Sequence, residues 1–393
     1  MDFEFSREHQ ALRKLVREFA EEEVRPAARQ ADRSSQPSLD VIKKAAEIGL
    51  LGVPFPREYG GLGAGETGYC ILMEELGRVD TSVATVIGAH IGIGSMAIYL
   101  GGDERIREKY LPDLCAGKKI AAFALTEPQA GSDAASIKLR ATREGDSYIL
   151  DGSKMWITNG PLASVMAVLA VTDPALGARG GATAFVIETR HNGSLAEGFT
   201  PGKYEHKMGL HGSPTSALSF DNFRVPQDNV LGQVGMGFVV FMQTLDIGRV
   251  SLGAATLGGA QAVLHKALEW AATREQFGKS IAQNQSIQFM VADMAAEIEA
   301  LRSLVYRTAW LVDNHKPFIK EAGMCKLLGS EIASRCIERA GQIYGALGYS
   351  RDTDIERSYR DGRITEIFEG TNEIQRILIA EQLFREVGVK IRP

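Results

Sequence analysis

Hydrophobic periodicity switches twice along this chain, and that switch limits the folds open to it. Up to about residue 120 apolar residues recur at helical spacing. Leu12, Leu15, Val16, Phe19 and Ala20 follow i, i+3, i+4 steps, and Pro26 helps close that element. From residue 121 the pattern becomes short apolar or alternating runs separated by turn residues: AAFAL, YILDGSKMWITNG, VMAVLAVTD, ATAFVIETR and SALSFDNFRVP. After GQVGMGF the helical period returns. Ile287, Met290, Val291, Met294, Ile298, Leu301, Leu304 and Val305 form one stripe, and Ile374, Ile377, Leu378 and Leu383 lie on the last helix. The expected class is α+β: an N-terminal all-α domain over 1–120, a small middle β-barrel or sandwich over 121–233, and a C-terminal helical bundle over 234–393. Asp151-Gly152, between two β-type runs, predicts a hairpin turn.

A chain of 393 residues exceeds what one core usually organises, which agrees with several packed units. The net charge of −5 gives no basic footprint for nucleic acid or an anionic membrane. Four cysteines without a CxxC pair read as buried thiols in a reducing compartment, and seven histidines without HxxxH or HExxH give no support for a metal site. The N-terminal stretch is amphipathic and lacks the apolar core of a signal peptide, so a bacterial cytoplasm, or a processed mitochondrial form, is the expected location. TSVATVIGAHIGIGSMAIYL, residues 81–100, carries no Asp, Glu, Lys or Arg and is long enough for a membrane span. Its His90, glycines and close charged flanks favour one or two buried helices instead.

Several segments have the residue types of a ligand site, each with a plain structural alternative. ALTEPQAGSDAAS, residues 124–136, is a loop that presents backbone N–H groups and the Ser132 hydroxyl, or a simple turn. In KMWITNG, strand alternation puts Trp156 and Thr158 on one face, suited to stacking on and hydrogen-bonding a ring. TREQFGKSIAQNQ offers Arg274, Gln276 and Gln285 for phosphate and adenine, and GQIYGALGYS offers Gln342 and close approach at Gly345. In ITEIFEGTNEIQR, Glu369 stands between large apolar residues and a glycine at a helix entry: a solvated helix-entry charge, or a base aimed into a pocket.

TEPQAGSD, KMWITNG, FDNFRVPQDNVLG, LDIGR, REQFGK and IFEGTNEIQ, in that order, resemble the signatures of the acyl-CoA dehydrogenase family of flavoproteins. The resemblance covers essentially the whole chain. SDAASI and RITEIFEGTNEI look closest to the medium- and long-chain branches, although the extra C-terminal domain of the long-chain branch is lacking. The family implies a middle β-barrel, a C-terminal four-helix bundle, FAD and a homotetramer built as a dimer of dimers. Phe123, Leu125, Thr126, Gly131 and Ser132, with Trp156, Ile157 and Thr158, would hold the isoalloxazine. Arg274, Gln276, Phe277, Gln285, Gln342 and Gly345 would reach the FAD of the neighbouring subunit, and Thr371 and Glu373 would lie near the cofactor. Ser132, Asp246, Arg249 and Gly370 would contact the acyl-CoA. The GALG wording with Ala346 and Leu347 departs from the family's glycine-rich pattern.

The same resemblance makes Glu369 the base that removes the α-proton of an acyl thioester, with the β-hydrogen leaving as hydride to flavin N5 and a trans-2-enoyl product. Its apolar neighbours would raise its pKa toward a useful range. Thr371 is the expected N-cap of the last helix. Glu366 and Glu373 compete with Glu369 by proximity alone. Some branches carry the base just before the arginine of LDIGR, where this chain has Gly248. Electron-transferring flavoprotein is the expected electron acceptor. An acyl-CoA oxidase, an enzyme acting on acyl-carrier-protein thioesters and a catalytically silent assembly protein are the alternatives. The small Gly94, Ser95 and Ala97 in GIGSMAIY predict a deep pocket floor.

Overall fold

The computed structural model describes residues 4–191 and 193–391. The N-terminal third is helical. α1 (Arg7–Phe19) passes through a π-turn into α2 (Arg25–Ser34), followed by α3 (Leu39–Glu47) and α4 (Gly65–Gly77). α5 (Thr81–Gly88) and α6 (Met96–Gly101) are joined by a π-helical segment over Ala89–Ser95, and α7 (Glu104–Cys115) closes the unit. Ser6, Asp80 and Asp103 cap α1, α5 and α7 by accepting from the N–H groups of His9, Val83 and Ile106. The uncharged run 81–101 is long and apolar enough to cross a membrane, yet 72% of its most hydrophobic window is buried in the fold. It packs against α4, against the later helix 237–273 and against the first strand, as expected for a core helix.

The middle third is a mixed sheet. β1 (Ala121–Ala124), β2 (Arg140–Glu144), β3 (Ser147–Thr158), β4 (Val165–Val171), β5 (Ala182–Glu188), β8 (Phe199–Pro201), β9 (Thr215–Pro226) and β10 (Val230–Leu231) make one eight-stranded sheet, with β6 (Arg190–His191) and β7 (Ser194–Leu195) as a small separate pair. Its order is β10-β5-β4-β2-β3-β9-β8, and β1 pairs in parallel with β4. The sheet rolls around a core that includes Leu150, Phe185, Phe220 and Phe223. The apolar run of β4 follows from its place between two cores. Met166, Val168 and Ala170 face that inner core, while Val165, Ala167 and Leu169 face a second core with α6, α7 and the helix 237–273.

Asp151-Gly152 does not turn a hairpin. β3 runs through it, and the turn lies six residues earlier at Gly145, between Glu144 and Ser147, which pair with each other. Gly152 (φ 136°) instead sits at a register shift, where an added Cβ would stand 3.1 Å from Leu139 Cδ1. Asp151 Oδ1 accepts from the Asn222 N–H at 2.7 Å. The dipeptide therefore serves a β-bulge and not a turn.

After an irregular turn, α8 (Ala178–Gly181), α9 (Gly237–Thr273) crosses the molecule. The hairpin β11 (Glu275–Gln276) and β12 (Lys279–Ser280) leads into α10 (Gln285–Asp313), α11 (Ile319–Tyr344), α12 (Asp354–Gly362) and α13 (Asn372–Glu386). α9, α10, α11 and α13 form the bundle, and α9 also packs on α4, α5 and the sheet. That placement explains why the first two-thirds of α9 is buried almost all round.

Candidate active site

A cavity of about 1490 Å³ opens where the three units meet. It exceeds the few hundred to about 1,000 Å³ of a common small-molecule pocket. β1 and the loop after it, the end of β3, one face of α4 and of the 81–101 helix, α9 and the 363–371 segment all line it. The chain brings Phe123, Leu125, Thr126, Gly131, Ser132, Trp156, Ile157, Thr158, Asp246, Arg249, Glu369, Gly370 and Thr371 together in this wall. Arg274, Gln276, Phe277, Gln285, Gln342, Gly345 and Glu373 do not join it and are exposed.

The loop 125–139 is fixed from beneath. The Lys154 ammonium, fully buried, donates to Glu127 Oε1 at 2.8 Å and to the Leu125 carbonyl at 2.9 Å. Glu127 also accepts from the N–H groups of Lys138 and Leu139, at 2.6 and 3.0 Å. Burial pushes Lys154 down to about 8, with Glu127 pulling the other way. Desolvation works to raise the Glu127 pKa, but the Lys154 charge and the hydrogen bonds overcome it and hold the carboxyl below its usual range. Trp156 and Thr158 both reach the cavity, though not by plain alternation. Trp156 has φ 60° and lies within a register shift between Lys154 and Ile157, so a bulge turns its half-exposed indole into the cavity.

Glu369 is the central group. It and Gly370 have left-handed backbones, φ 54° and 89°. The glycine adopts this freely; the glutamate does so only because its surroundings hold it. Gln375 Nε2 donates to the carbonyls of Glu369 and Gly370, at 3.3 and 3.0 Å, and Arg249 Nε donates to the Glu369 carbonyl at 3.4 Å. Thr371 caps α13, its hydroxyl accepting from the Ile374 N–H. The Glu369 Oε2 is buried and has no hydrogen-bond partner among the described residues. Burial raises the carboxyl to about 7, opposed by the charges of Arg249 and Lys326. Arg249 is held in turn by Asp246, Nη1 to Oδ1 at 2.6 Å, and burial pushes Asp246 up to about 6 against that pair.

The neighbouring glutamates differ. Glu366 is occupied by the Ser334 hydroxyl at 2.5 Å and Arg363 at 2.6 Å, and Glu373 points to solvent. Of these three glutamates, only Glu369 has a desolvated carboxyl in the cavity wall. A Cβ on Gly248 would lie 2.8 Å from Glu369 Oε2 and 3.0 Å from Ile93 Cγ2, so positions 248 and 369 address one point in space and cannot both bear a side chain there. Gly248→Ala should therefore displace the carboxylate and cut turnover by roughly tenfold or more, given the cost of about 1 Å of misplacement. Unchanged kcat in the variant would contradict this geometry.

Gly94, Ser95 and Ala97 do not form the floor. A Cβ on Gly94 would meet Ala121 Cβ at 2.8 Å, so that residue lets the helix approach β1, and Ser95 and Ala97 are packed away from the cavity. The reason is helical phase: Ala84, Thr85, Gly88, Ala89 and Ile93 make the cavity face of this helix. Two groups of consequence carry no expected role: Lys326, outside the motifs, and Gln375, the last residue of IFEGTNEIQ. Lys326 lies in phase with the buried stripe Ala322, Gly329, Ala333 and Ala340 of α11, and a lone lysine in such a stripe is the available signal.

Three family models match in register: the N-terminal domain of acyl-CoA dehydrogenases over residues 6–118, the middle domain over 122–223 and the C-terminal domain over 235–384. An acyl-CoA dehydrogenase of Bacillus subtilis (strain 168) is 42% identical over 378 residues, 96% of this chain and 98% of that protein. The structure of butyryl-CoA dehydrogenase from Megasphaera elsdenii superposes with a TM-score of 0.94 at 40% identity, covering 98% of this chain and all of the other. A chain from a structure concerning the electron transferring flavoprotein of Acidaminococcus fermentans superposes at 0.95 with 40% identity, again over 98% of this chain and all of the other. The arrangement of helical, sheet and helical units is thus shared over nearly the whole chain, and the chain belongs to the acyl-CoA dehydrogenase family.

Proposed function

We propose that the protein is an FAD-dependent acyl-CoA dehydrogenase that converts a saturated acyl-CoA to its trans-2-enoyl-CoA, with Glu369 as the base. The observation that carries this reading is the Glu369 carboxyl, buried, raised to about 7 and without a hydrogen-bond partner among the described residues, in the wall of a cavity large enough for two ligands. A carboxyl poised near neutrality is matched to removing a weakly acidic α-proton.

The residues fit FAD. Trp156 offers an indole face, Thr126 and Thr158 offer hydroxyls, and a Cβ on Gly131 would meet nothing within 4 Å, so a ring system has room beside that loop. Ser213 Oγ, in the same wall, is buried with no partner among the described residues and suits a polar group of the cofactor. FAD, when bound, supplies the hydride acceptor for the substrate β-carbon. Glu369 accepts the α-proton, and its backbone N–H is assigned to the thioester carbonyl as charge grows on oxygen. Phe238, Met242 and Leu245 add apolar side chains to the wall of the same cavity. Arg274, Gln276, Phe277, Gln285, Gln342 and Gly345, exposed here, are assigned to the FAD of a neighbouring subunit in a homotetramer, with Glu373 toward the cofactor. Electron-transferring flavoprotein is the assigned electron acceptor.

The acyl tail is assigned to the branch lined by Met73 of α4, Ala84 and Gly88 of the 81–101 helix, and Leu252 and Ala255 of α9. Small residues there leave length for a medium or longer chain. A Cβ on Gly88 would already stand 2.8 Å from Met73 Cε. Gly88→Leu should lower kcat/KM for the longest accepted acyl-CoAs by at least about tenfold, with short chains changed little, since a few blocked methylenes are worth about 1–3 kcal/mol each. Equal losses at all lengths would reject this placement. The reaction itself is tested by product analysis: a 2-enoyl-CoA formed with electron-transferring flavoprotein or a dye acceptor supports the reading. Stoichiometric oxygen uptake without an acceptor would make the protein an oxidase, and turnover of acyl groups only on acyl-carrier protein would change the carrier.

A further inference from the structure

Lys326 lies on α11, and its side chain is completely buried. Its ammonium donates one hydrogen bond, 2.7 Å, to Asn372 Oδ1. No carboxylate lies within ion-pair distance of Nζ among the described residues. A lone buried ammonium is costly to keep, and a neutral amide is poor compensation. The strongest opposite charge acting on it is Glu369, three residues before Asn372.

The other charged and titratable groups around Glu369 are accounted for. On α9, Arg249 also favours the ionised Glu369, but it is itself paired with Asp246 at 2.6 Å. On the 363–369 segment, Glu366 is paired with Arg363. Glu373 of α13 is exposed, and the fully buried Tyr69 hydroxyl of α4 donates to the Gly88 carbonyl. Among the described residues around Glu369, Lys326 is the buried cation that no carboxylate within ion-pair distance cancels. Its partner Asn372 is also tied to Ser330 Oγ, Nδ2 donating at 3.0 Å, so the first residue of α13 is pinned to α11 directly behind the left-handed Glu369-Gly370 turn.

We infer that Lys326 is a positioning residue for Glu369: its buried ammonium stabilises the ionised carboxylate across the cavity wall, and its bond to Asn372 fixes the turn that aims it. The inference rests on Glu369 being the base. Lys326 touches neither substrate nor cofactor in this scheme; it acts through the base. Losing the cation makes the carboxylate harder to ionise, so the pH at which Glu369 becomes a competent base must rise.

Two readouts test this, with Lys326→Met, of similar length but uncharged, and Lys326→Arg, which keeps the charge. The first is the rate of anaerobic flavin bleaching by saturating acyl-CoA against pH. Lys326→Met should move the acid limb up by about one pH unit, roughly tenfold in rate below the limb, with recovery at higher pH, and Lys326→Arg should leave the limb near its wild-type position. The second needs no turnover: the infrared carboxylic-acid band that disappears in Glu369→Gln is titrated in each protein, and its midpoint should rise in Lys326→Met only. A limb and band midpoint that stay in place, whether or not the rate falls evenly at all pH values, would overturn the inference and leave Glu369 as the base. A wild-type protein bleached by no acyl thioester would sink the proposed function instead, and the band titration would still decide the role of Lys326.

Discussion

Glu369→Gln should leave the protein folded and yellow while slowing substrate-driven flavin reduction by about 10²–10⁴-fold or more, the range that a lost general base commands. Glutamine keeps the shape of the side chain but cannot accept a proton, so acyl-CoA binding should change little. Stopped-flow bleaching under anaerobic conditions reads the loss directly. A second consequence has a definite sign. The Glu369 carboxyl stands at about 7 in the fold against an ordinary value near 4.5, because burial disfavours its charge. A raised pKa in an acid means that the folded state binds the proton more tightly. Its stabilising effect is complete below the unfolded pKa and is lost as pH rises through about 7. Wild type thus carries a penalty on the order of 3 kcal/mol above pH 8 that Glu369→Gln lacks. The variant should melt higher than wild type at pH 8, and the gap should close by pH 5. Equal melting temperatures at both pH values would argue against a desolvated carboxyl.

The second large effect is structural. Lys154→Met removes the ammonium from a pair in which both side chains are buried, 2.8 Å apart. Glu127 would then be a carboxylate buried without its cation, at a cost of about 3–5 kcal/mol. The damage should be local before it is global, since Lys154 also holds the Leu125 carbonyl and Glu127 holds the N–H groups of Lys138 and Leu139. FAD affinity and thermal stability should fall together, and added FAD should restore part of the melting temperature through mass action. The double variant Lys154→Met/Glu127→Gln should recover much of the loss, because the stranded charge is gone. A double variant no better than the single one would show that the pair's charge is not what fixes the loop.

The fold was legible where periodicity is strong. The switch from helical to alternating pattern near residue 121 marks the first strand, Ala121–Ala124, and the return after GQVGMGF marks α9. Buried-thiol cysteines and a buried 81–101 helix also follow from composition. The failures share one cause. Asp-Gly serves a tight turn and a bulge equally well, and only the approach of Leu139 to Gly152 decides between them. Gly94 and Gly88 look alike in sequence, but helical phase puts one against β1 and the other in the cavity. Among three nearby glutamates, spacing does not separate a base from a solvated charge. The resemblance pointed to Glu369, and the pairing of Glu366 with Arg363 and the exposure of Glu373 add a physical reason. Lys326 is hard to read because a lysine in a long helix is ordinarily turned outward, and only its phase with the small-residue stripe of α11 marks it.

The most direct test is the visible spectrum of the purified protein during anaerobic titration with saturated acyl-CoAs of increasing length. The expected result is a yellow flavin spectrum bleached stoichiometrically by a subset of straight-chain acyl-CoAs, with the bleaching abolished in Glu369→Gln. A yellow protein that no acyl thioester bleaches, or a colourless protein that cannot be loaded with FAD, would contradict the account.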